Sequence, residues 1–353
     1  MRLSILIPNY NNRRYIKKCI ESCICDAISP DDYEIIVCDD CSTDGSDLVV
    51  KQLSAKYPQV RLIYNETNLR TLKTRLRLIN EAKGEFIFFI DSDDWLQKSL
   101  IYKLLSLAYS GNFEVVTTRR ARVYAIGNVV LHSKPIKLVI SGELVGDEIL
   151  NKCYSSFLGE NKLPIYLAGN MYRREIVIRA FENFKNLPPL QYFEDCLFNL
   201  IIYPNCRRAY FMDSVGYCYR SGGITSKFNA LLYPNHKILF CFRMQMINRY
   251  SLPYGHYTSC GEMKNIFKQT VVEMFRHKCS IDEIRAFASN EIEDDIWQTI
   301  FTPEYSKMYK NAAFTKAMIE KDVDAVMSIC AKESREHYIK RKLISVFNRL
   351  FVS

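Results

Sequence analysis

The first ninety residues alternate between short apolar runs and helical patterns, and this rhythm limits the fold more than any other feature of the sequence. Apolar runs of strand length lie at residues 2–7, Tyr33–Cys38, Val60–Tyr64 and Glu85–Ile90. Apolar residues with helical spacing fill the intervals, at Ile16–Ile24, Leu48–Lys56 and Leu69–Ile79. Because each helix must carry the chain back along the sheet, this order predicts an α/β fold with a mainly parallel sheet flanked by helices.

Polar and acidic residues follow three of the predicted strands, at the edge where parallel sheets bind their ligands. Pro8-Asn9-Tyr10 follows the first strand, Asp39-Asp40 the second and Asp91-Ser92-Asp93-Asp94 the fourth. The last carboxylates would repel one another at a buried strand end unless a cation or strong hydrogen-bond donors lay among them, and Mg²⁺ and Mn²⁺ prefer oxygen ligands. We therefore predict a divalent cation whose coordination is completed by substrate phosphates. In the alternative interpretation, Asp93 or Asp94 caps a helix that begins after Trp95.

The sequence lacks the phosphate-binding loops of two common nucleotide-binding classes. Dinucleotide-binding enzymes have a glycine-rich turn after the first strand, whereas Pro8–Asn12 contains no glycine. No segment matches the glycine- and lysine-containing loop of the P-loop ATPases. We therefore exclude a dehydrogenase and an ATPase of that kind.

The composition indicates a cytosolic protein with reduced cysteines. The thirteen cysteines of this 353-residue chain are scattered through apolar segments, and their number is odd. A zinc site at Cys38 and Cys41 is the alternative, but no second close pair has zinc-finger spacing. No apolar run has the length of a signal-peptide core or a membrane span, so we expect a cytoplasmic location. The net charge of +9 is compatible with an anionic substrate, a membrane surface or nucleic acid, and does not choose among them.

Three motifs at the strand ends resemble those of a known enzyme family. They are SILIPNYN at Ser4–Asn11, IVCDDCSTDGS at Ile36–Ser46 and GEFIFFIDSDD at Gly84–Asp94. In this order they resemble the family 2 inverting glycosyltransferases of GT-A fold, of the kind that acts in bacterial surface polysaccharide synthesis. The likeness covers about the first 100 residues closely and continues more loosely to about residue 226.

The resemblance implies a role for each motif in binding a nucleoside diphosphate sugar. Tyr10 would stack on the base, and Asp40 would accept a hydrogen bond from the base ring. The Asp91-Ser92-Asp93 motif would contact the ribose and hold the metal, Mn²⁺ or Mg²⁺, on the diphosphate, with Asp93 and Asp91 as its ligands. The full set of predicted nucleotide-sugar-binding residues is Pro8, Tyr10, Asp40, Arg75, Asp91, Ser92 and Arg220.

The chain departs from the family pattern in two places. Cys41 stands where the family usually has Gly or Asn, and Thr74–Leu78 (TRLRL) replaces the usual Ala-Arg-Asn-x-Gly element of the third helix. Arg75 keeps the basic residue that can reach a phosphate, whereas the Asn and Gly of that element are missing. The sequence therefore defines the class of donor better than it defines the donor itself.

Two acids precede the apolar helical run that ends at Tyr203. Acids at the start of a helix commonly cap it and complement its dipole, which is the simplest interpretation of Glu194 and Asp195. The family resemblance implies a second interpretation, in which they form the acid pair of inverting glycosyltransferases. Asp195 would then be the catalytic base.

Gly216–Ser226 contains paired glycines beside Arg220. Such a segment suits a mobile loop that closes over an anionic ligand, and a plain turn is the alternative. We place the catalytic domain at residues 1–226 and a helical C-terminal region at residues 227–353. In its last stretch, Tyr338–Val352, an apolar stripe lies beside Lys and Arg residues, which fits either a helix in an anionic membrane surface or a packed terminal helix.

Together these features predict a metal-dependent, inverting glycosyltransferase that moves one sugar from a nucleoside diphosphate sugar to an acceptor hydroxyl. The family resemblance implies UDP as the nucleotide and a glycan or lipid-linked glycan as the acceptor. We expect no nucleic-acid partner, and association with the inner face of the cell membrane is compatible with the basic tail. A non-catalytic nucleotide-sugar-binding subunit and a nucleotidyltransferase are the alternatives, although the second class carries a glycine-rich basic loop that this chain lacks after its first strand.

Overall fold

The computed structural model of the chain describes residues 1–126, 129–136, 140–160, 166–184, 186–222, 229–309 and 312–336. These residues form two compact units. The first comprises the described residues of Met1–Lys227 together with Cys241–Met246. The second comprises those of Phe228–Phe240 and Ile247–Ser353.

A sheet of ten strands runs through the described part of the first unit. The strands are β1 (Leu3–Asn9), β2 (Tyr33–Asp39), β3 (Val60–Tyr64), β4 (Phe86–Phe89), β5 (Trp95–Leu96), β6 (Val115–Ile126), β7 (Val129–Pro135), β8 (Gly142–Val145), β9 (Asn170–Arg173) and β10 (Arg208–Arg220). The helices are α1 (Ile16–Cys23), α2 (Ser46–Lys56), α3 (Arg70–Glu81), α4 (Leu100–Ser110), α5 (Arg174–Glu182) and α6 (Glu194–Ile202). The strand order is β3-β2-β1-β4-β9-β6-β10-β5, with β7 paired to β6 and β8 paired to β10.

The sheet is mixed, and its continuous parallel part is built from the first four strands. β1 pairs in parallel with β2 and β4, and β2 pairs in parallel with β3. β9 is antiparallel to both β4 and β6, so β6 again runs in the direction of β4, and β10 is parallel to β6. α3 packs on β1 and β2, and α4 packs on β6. The predicted α/β fold with a mainly parallel sheet flanked by helices is confirmed.

The pairing register brings the carboxyl ends of the first strands to one edge. Asn9 at the end of β1 lies beside Asp39 of β2, and Asp39 lies beside Tyr64 at the end of β3. The side chains of β1 and β4 are buried almost throughout, which explains their uninterrupted apolar runs. The acidic residues that follow β2 and β4 therefore lie at the same edge, as the sequence predicts.

β6 is longer than the sequence pattern predicts. The predicted strand covers Phe113–Thr117, whereas β6 runs to Ile126 and includes Arg119, Arg120 and Arg122. The arginines interrupt the apolar pattern by which a buried strand is recognised. The strand persists because it pairs with β9, β10 and β7.

The prediction of a mobile loop at Gly216–Ser226 is wrong for residues Gly216–Arg220. Gly216–Arg220 completes β10, and a Cβ atom on Gly216 would lie only 2.2 Å from Cδ1 of Leu100. Gly216 therefore permits close packing of the strand and does not provide backbone mobility. Residues 223–226 lie outside the described residues.

The interpretation of Asp93 or Asp94 as a helix cap is wrong. Trp95–Leu96 forms the short strand β5, which pairs antiparallel with β10. The next helix, α4, begins only at Leu100. The acids of this turn therefore need another explanation.

Helices make up the second unit as far as it is described, which confirms the predicted helical C-terminal region. α7 (Leu232–Arg249) contributes residues to both units. The helices that follow are α8 (Pro253–Arg276), α9 (Ile281–Ile292), α10 (Ile296–Ile300), α11 (Pro303–Tyr309), α12 (Ala313–Ile319) and α13 (residues 323–336). In the core of this unit, the rings of Tyr233, Phe287 and Trp297 pack around Phe267.

None of the described helices is long and apolar enough to cross a membrane. The stretch Tyr338–Val352, with its two alternative interpretations, lies outside the described residues. All thirteen cysteines belong to the described part of the chain and are free thiols, as predicted. The thiols of Cys38 and Cys41 each donate a hydrogen bond to Asn65, and the described residues hold no zinc-like cluster around them.

Gly84, two residues before β4, allows the chain to pass close to β1. An added Cβ atom would lie 2.4 Å from both the carbonyl carbon of Leu3 and the backbone nitrogen of Ser4. We expect Gly84→Ala to lower the free energy of unfolding by about 1–3 kcal/mol, the usual cost of overpacking. Urea denaturation beside Lys83→Ala, an exposed neighbour that should change stability by less than about 0.5 kcal/mol, measures the effect. Equal stabilities of the two variants would contradict the packing argument.

Candidate active site

Asp94 fixes the turn after β4, and only 2% of its surface is exposed. Its Oδ2 atom accepts a hydrogen bond from the Tyr217 hydroxyl (2.6 Å), and its Oδ1 atom accepts one from the backbone N–H of Arg220 (2.7 Å). The same Tyr217 hydroxyl accepts a hydrogen bond from the backbone N–H of Asp91 (3.2 Å). Burial and the neighbouring carboxylates of Asp93 and Asp91 raise the pKa of Asp94. Asp94 thus attaches the carboxylate cluster to β10.

Asp91 and Asp93 lie on either side of Ser92 in this turn. The side chain of Asp91 is 32% exposed, and its Oδ1 atom accepts a hydrogen bond from Nη2 of Arg75 (2.7 Å). Burial and repulsion from Asp91 raise the pKa of Asp93 to about 6. Asn12 in the loop after β1 donates a hydrogen bond through Nδ2 to Oγ of Ser92 (2.7 Å). The structure therefore places all the residues of the predicted Asp91-Ser92-Asp93 motif at the sheet edge.

Arg75 of α3 connects this turn to α6. Its side chain is only 3% exposed, and its guanidinium donates hydrogen bonds to Asp91, to Glu194 (3.2 Å) and to Asp195. Burial by itself lowers the pKa of Arg75, but the three carboxylates outweigh burial and raise it. A single buried cation therefore holds together acids from two distant parts of the chain.

Glu194 and Asp195 occupy the first turn of α6, whose N-cap residue is Phe193. Burial raises the pKa of Glu194 to about 7, with Arg75 acting to lower it and Asp195 acting to raise it further. The side chain of Asp195 is more exposed than that of Glu194, at 25% against 15%. The ion pairs with Arg75 show that the two acids do more than complement the helix dipole.

Asp40 holds the loop between β3 and α3. Its Oδ1 atom accepts hydrogen bonds from Nδ2 of Asn65 and from the backbone N–H of Leu69, both at 2.7 Å. Its Oδ2 atom accepts one from the backbone N–H of Arg70 (2.9 Å), which leaves that oxygen able to accept a second. Tyr10, directly after β1, is 49% exposed. The loops after β1 and β2 therefore offer an aromatic ring and a carboxylate oxygen at the same edge as Asp91.

Arg220 lies at the end of β10 against two aromatic rings. Its guanidinium carbon is 4.1 Å from the ring centroid of Tyr15 and 5.0 Å from that of Trp95, in the range of cation–π contacts. Its Nε atom donates a hydrogen bond to the carbonyl oxygen of Asp93 (2.9 Å). The structure therefore brings Arg220 to the carboxylate turn, while Pro8 lies within β1.

Four loop residues around the site have positive φ angles although none is glycine. They are Asn11 (+52°), Cys41 (+63°), Arg70 (+62°) and Phe193 (+67°). The left-handed conformation favours Gly or Asn, which gives a physical reason why those residues are usual at the position of Cys41 in the resembling family. Backbone strain of this kind concentrates at functional sites.

Several residues that build the site have no motif to reveal them. Asn65 directly follows β3, so the strand-end rule that found Asp40 and Asp91 also applies to it. Tyr217 lies inside β10 in an aromatic stretch, and only the folded structure shows that its hydroxyl meets Asp94. Asn12 likewise becomes a site residue only through its contact with the strand-end motif.

The oxygen atoms of Asp91 and Asp93 fit a hard divalent cation. Carboxylates are the side chains that Mg²⁺ and Mn²⁺ prefer, and the raised pKa of Asp93 shows a carboxylate whose negative charge its surroundings disfavour. Among the described residues there is no group of three or more His, Cys, Asp or Glu side chains placed to hold a metal. A cation held by Asp91 and Asp93 would therefore need further ligands from outside the described residues.

Comparison with known proteins places the chain in a family. Residues 4–180 match the sequence family described as Glycosyl transferase family 2. The chain belongs to this family. The family 2 match covers β1 to β4 and therefore the motifs at Tyr10, Asp40 and Asp91, and it confirms the predicted resemblance.

Relatives of this family 2 protein include two bacterial proteins. Poly(ribitol-phosphate) beta-glucosyltransferase of Bacillus spizizenii is 29% identical over 170 residues, which are 46% of this chain but only 26% of that relative. Uncharacterized glycosyltransferase EpsJ of Bacillus subtilis is 24% identical over 303 residues, covering 84% of this chain and 82% of that protein. The crystal structure of residues 1–349 of Staphylococcus aureus TarS in complex with UDP-GlcNAc has a TM-score of 0.71 at 20% identity, covering 96% of this chain and 92% of that one. This likeness confirms the predicted GT-A fold.

The raised pKa of Glu194 predicts a pH-dependent stability. Because the folded state binds a proton at Glu194 up to about pH 7 and the unfolded state releases it near 4.5, the free energy of unfolding should fall as the pH rises through this window. Between pH 5 and pH 8 the unmodified protein should lose free energy of unfolding. We expect this loss to be smaller by at least about 1 kcal/mol in Glu194→Gln, since one pKa unit corresponds to about 1.4 kcal/mol.

Urea denaturation at both pH values measures this difference. Glu175→Gln is the matched control, because its side chain is 75% exposed on α5 and should leave the pH dependence unchanged. The same pH dependence in Glu194→Gln and in the unmodified protein would show that Glu194 is not the titrating group.

Proposed function

We propose that this protein transfers one sugar from a UDP-sugar to an acceptor hydroxyl, with inversion at the anomeric carbon and with the help of a divalent cation. The observation that carries the proposal is the joining, by the buried Arg75, of the turn that holds Asp91 to Glu194 and Asp195. Membership of the family and the names of the relatives support sugar transfer. Inversion by single displacement needs a site for a diphosphate and a carboxylate that accepts a proton. In this proposal the turn at Asp91 provides the first and the acids of α6 provide the second.

The nucleotide binds at the loops after β1 and β2. The half-exposed ring of Tyr10 offers a stacking surface for the base, and Oδ2 of Asp40 accepts a hydrogen bond from the base ring. Pro8 and Ser92 complete this surface, as the family resemblance implies. The neighbour TarS was crystallised with UDP-GlcNAc, which supports UDP as the nucleotide in this proposal.

Asp91 and Asp93 hold Mn²⁺ or Mg²⁺ in this proposal. Such a cation, held by these two carboxylates, would supply positive charge for the departing diphosphate. Arg220, which stacks on Tyr15 and Trp95 beside Asp93, supplies a further positive charge for the same phosphates.

Asp195 is the base. As the acceptor oxygen forms its bond to the anomeric carbon, its proton passes to the Asp195 carboxylate, and the bond between the anomeric carbon and the diphosphate oxygen breaks with its electron pair on the diphosphate. The ion pair with Arg75 orients Asp195, and its greater exposure than that of Glu194 favours it for contact with an acceptor. Glu194, whose pKa burial raises to about 7, is the alternative base.

The acceptor in this proposal is a growing glycan or a lipid-linked glycan of the bacterial cell surface. The relative from Bacillus spizizenii is named for transfer to poly(ribitol-phosphate), and that name supports a polymeric acceptor carrying hydroxyl groups. The match to this relative spans about a quarter of its length.

Donor binding should require the divalent cation, because the diphosphate would otherwise meet the carboxylates of Asp91 and Asp93 unshielded. We expect the affinity for UDP to be at least about tenfold higher with Mn²⁺ than with excess chelator, a difference of about 1.4 kcal/mol. Calorimetric titration under both conditions gives the two dissociation constants. Equal affinities would contradict the assignment of Asp91 and Asp93 as metal ligands.

Substitution of Asp195 should lower turnover without weakening UDP binding. Asp195→Asn keeps the size of the side chain but cannot accept the proton, so turnover should fall by about 10²–10⁴-fold while UDP affinity stays within about threefold. Asp93→Asn should instead weaken metal-dependent UDP binding and turnover together.

Release of UDP from a panel of UDP-sugars, with a lipid-linked acceptor pool, measures turnover, and calorimetry measures affinity. Asp31→Asn, at an exposed position, is the control and should change neither quantity. Near-normal transfer by Asp195→Asn would move the base assignment to Glu194. Absence of any transfer by the unmodified protein, with UDP binding intact, would favour a nucleotide-sugar-binding subunit.

A further inference from the structure

Arg120 is a buried arginine between two tyrosine rings. Only 5% of its surface is exposed, and its guanidinium carbon lies 3.9 Å from the ring centroid of Tyr166 and 4.6 Å from that of Tyr217. Gly169 makes room for this stack, since a Cβ atom there would lie 2.9 Å from the Tyr217 ring. The rings hold the guanidinium in place through its faces and leave its N–H groups to bind something else.

Arg120 has no carboxylate partner among the residues that the structure describes. None of the described residues accepts a hydrogen bond from its Nη2 atom or forms an ion pair with it. The neighbouring Arg119 differs, because Asp213 pairs with its guanidinium at 3.2 Å. The segments of the sequence outside the described residues contain no Asp or Glu at all. Since a buried charge is normally paired, Arg120 is an arginine that lacks its anion.

The guanidinium of Arg120 lines a small pocket. The pocket has a volume of about 20 Å³, and its polar lining includes Thr117, Tyr166 and Asn170. Because one water molecule needs about 10–15 Å³ of such space, there is room for one or two oxygen atoms of an acidic group and not for a diphosphate. The pocket therefore admits the terminal oxygen atoms that a single carboxylate or phosphate ester would direct at Arg120.

The pocket lies next to the proposed reaction centre. The ring of Tyr217 contacts Arg120, while its hydroxyl binds Asp94 and the backbone N–H of Asp91. On the other side, Asn170 donates a hydrogen bond to the hydroxyl of Tyr172, which in turn donates one to Asn199. Asn199 belongs to α6, which begins with Glu194 and Asp195. Tyr217 thus separates the pocket from the aspartate turn, and Tyr172 and Asn199 link its other side to α6.

We propose that Arg120 forms a subsite for an anionic group, a carboxylate or a phosphate ester, carried by the acceptor. The proposal rests on the proposed function for its assignment to the acceptor, whereas the anion site itself rests only on the buried, unneutralised Arg120 and its pocket. The donor's diphosphate binds at Asp91, Asp93 and Arg220, on the far side of Tyr217, and is too large for the pocket. The remaining anion that a sugar transfer brings to this edge is one on the acceptor.

Thermal unfolding with added anions tests the site. Inorganic phosphate and glycerol 3-phosphate should raise the unfolding temperature of the unmodified protein by a few degrees, since a ligand that binds only the folded state stabilises it, and glycerol should not. Arg120→Gln should lose this rise. Arg122→Gln, which removes an exposed arginine from the same strand, should keep it. An equal rise in Arg120→Gln, or no rise in the unmodified protein, would overturn the anion site.

The two sources of the anion give different results. An anion carried by the acceptor predicts that glycerol 3-phosphate shifts the unfolding temperature through Arg120 at least as strongly as inorganic phosphate does. A shift by inorganic phosphate alone would overturn the acceptor assignment. A crystal of the unmodified protein soaked in glycerol 3-phosphate must show its phosphate within hydrogen-bond distance of Arg120, and this measurement holds even where Arg120→Gln does not fold.

Kinetics separate this inference from the proposed function. With an anionic acceptor, Arg120→Gln should raise the acceptor KM by at least about tenfold, while kcat and UDP affinity change less than about threefold. A loss of kcat without a change of KM would point to a structural role and overturn the subsite. Failure of UDP to bind the unmodified protein would instead refute the proposed function and leave the anion measurements unaffected.

Discussion

The buried guanidinium of Arg75 is the interaction on which the candidate active site depends. Asp91 follows β4, and Asp195 begins α6, 120 residues along the chain from Arg75. Without a shared cation these acids would repel one another, and loss of one partner from a buried ion pair typically costs about 3–5 kcal/mol. Arg75 therefore fixes Glu194 and Asp195 relative to the turn that holds Asp91, which in the proposed function are the proton-accepting acids and the turn that receives the diphosphate. A sugar transfer needs this relation to be fixed, because both groups must act on one anomeric carbon.

The parallel half of the fold could be predicted because β1, β2 and β4 are buried on both faces and are mostly apolar. Val60–Tyr64 also coincides with β3, although that strand is only partly buried. β6 could not be predicted beyond Thr117, because its arginines belong to a strand that long-range pairing stabilises. The predicted mobile loop began too early, at Gly216, because the packing of Gly216 against Leu100 is invisible in the local sequence.

The site was predictable to the extent that it follows strand ends. Asp40, Asp91 and Asp93 come directly after strands, and parallel strands in register bring them to one edge. The partners of these acids were not predictable, because hydrogen bonds such as those of Tyr217 and Asn65 depend on tertiary geometry. Arg75 shows the limit most clearly: its chemistry is visible in the sequence, whereas the ion pairs that define its place are not.

The left-handed backbone at Asn11, Cys41, Arg70 and Phe193 sets stability against precision in this protein. A left-handed residue other than glycine or asparagine costs about 1–2 kcal/mol, so Cys41, Arg70 and Phe193 together forgo a noticeable part of a typical domain's stability. Glycine at these positions would relieve the strain but would also let each loop explore many more conformations. Because glycine also gives the unfolded chain more conformations to lose, relieving the strain in this way would return only part of that stability, at the expense of loop order.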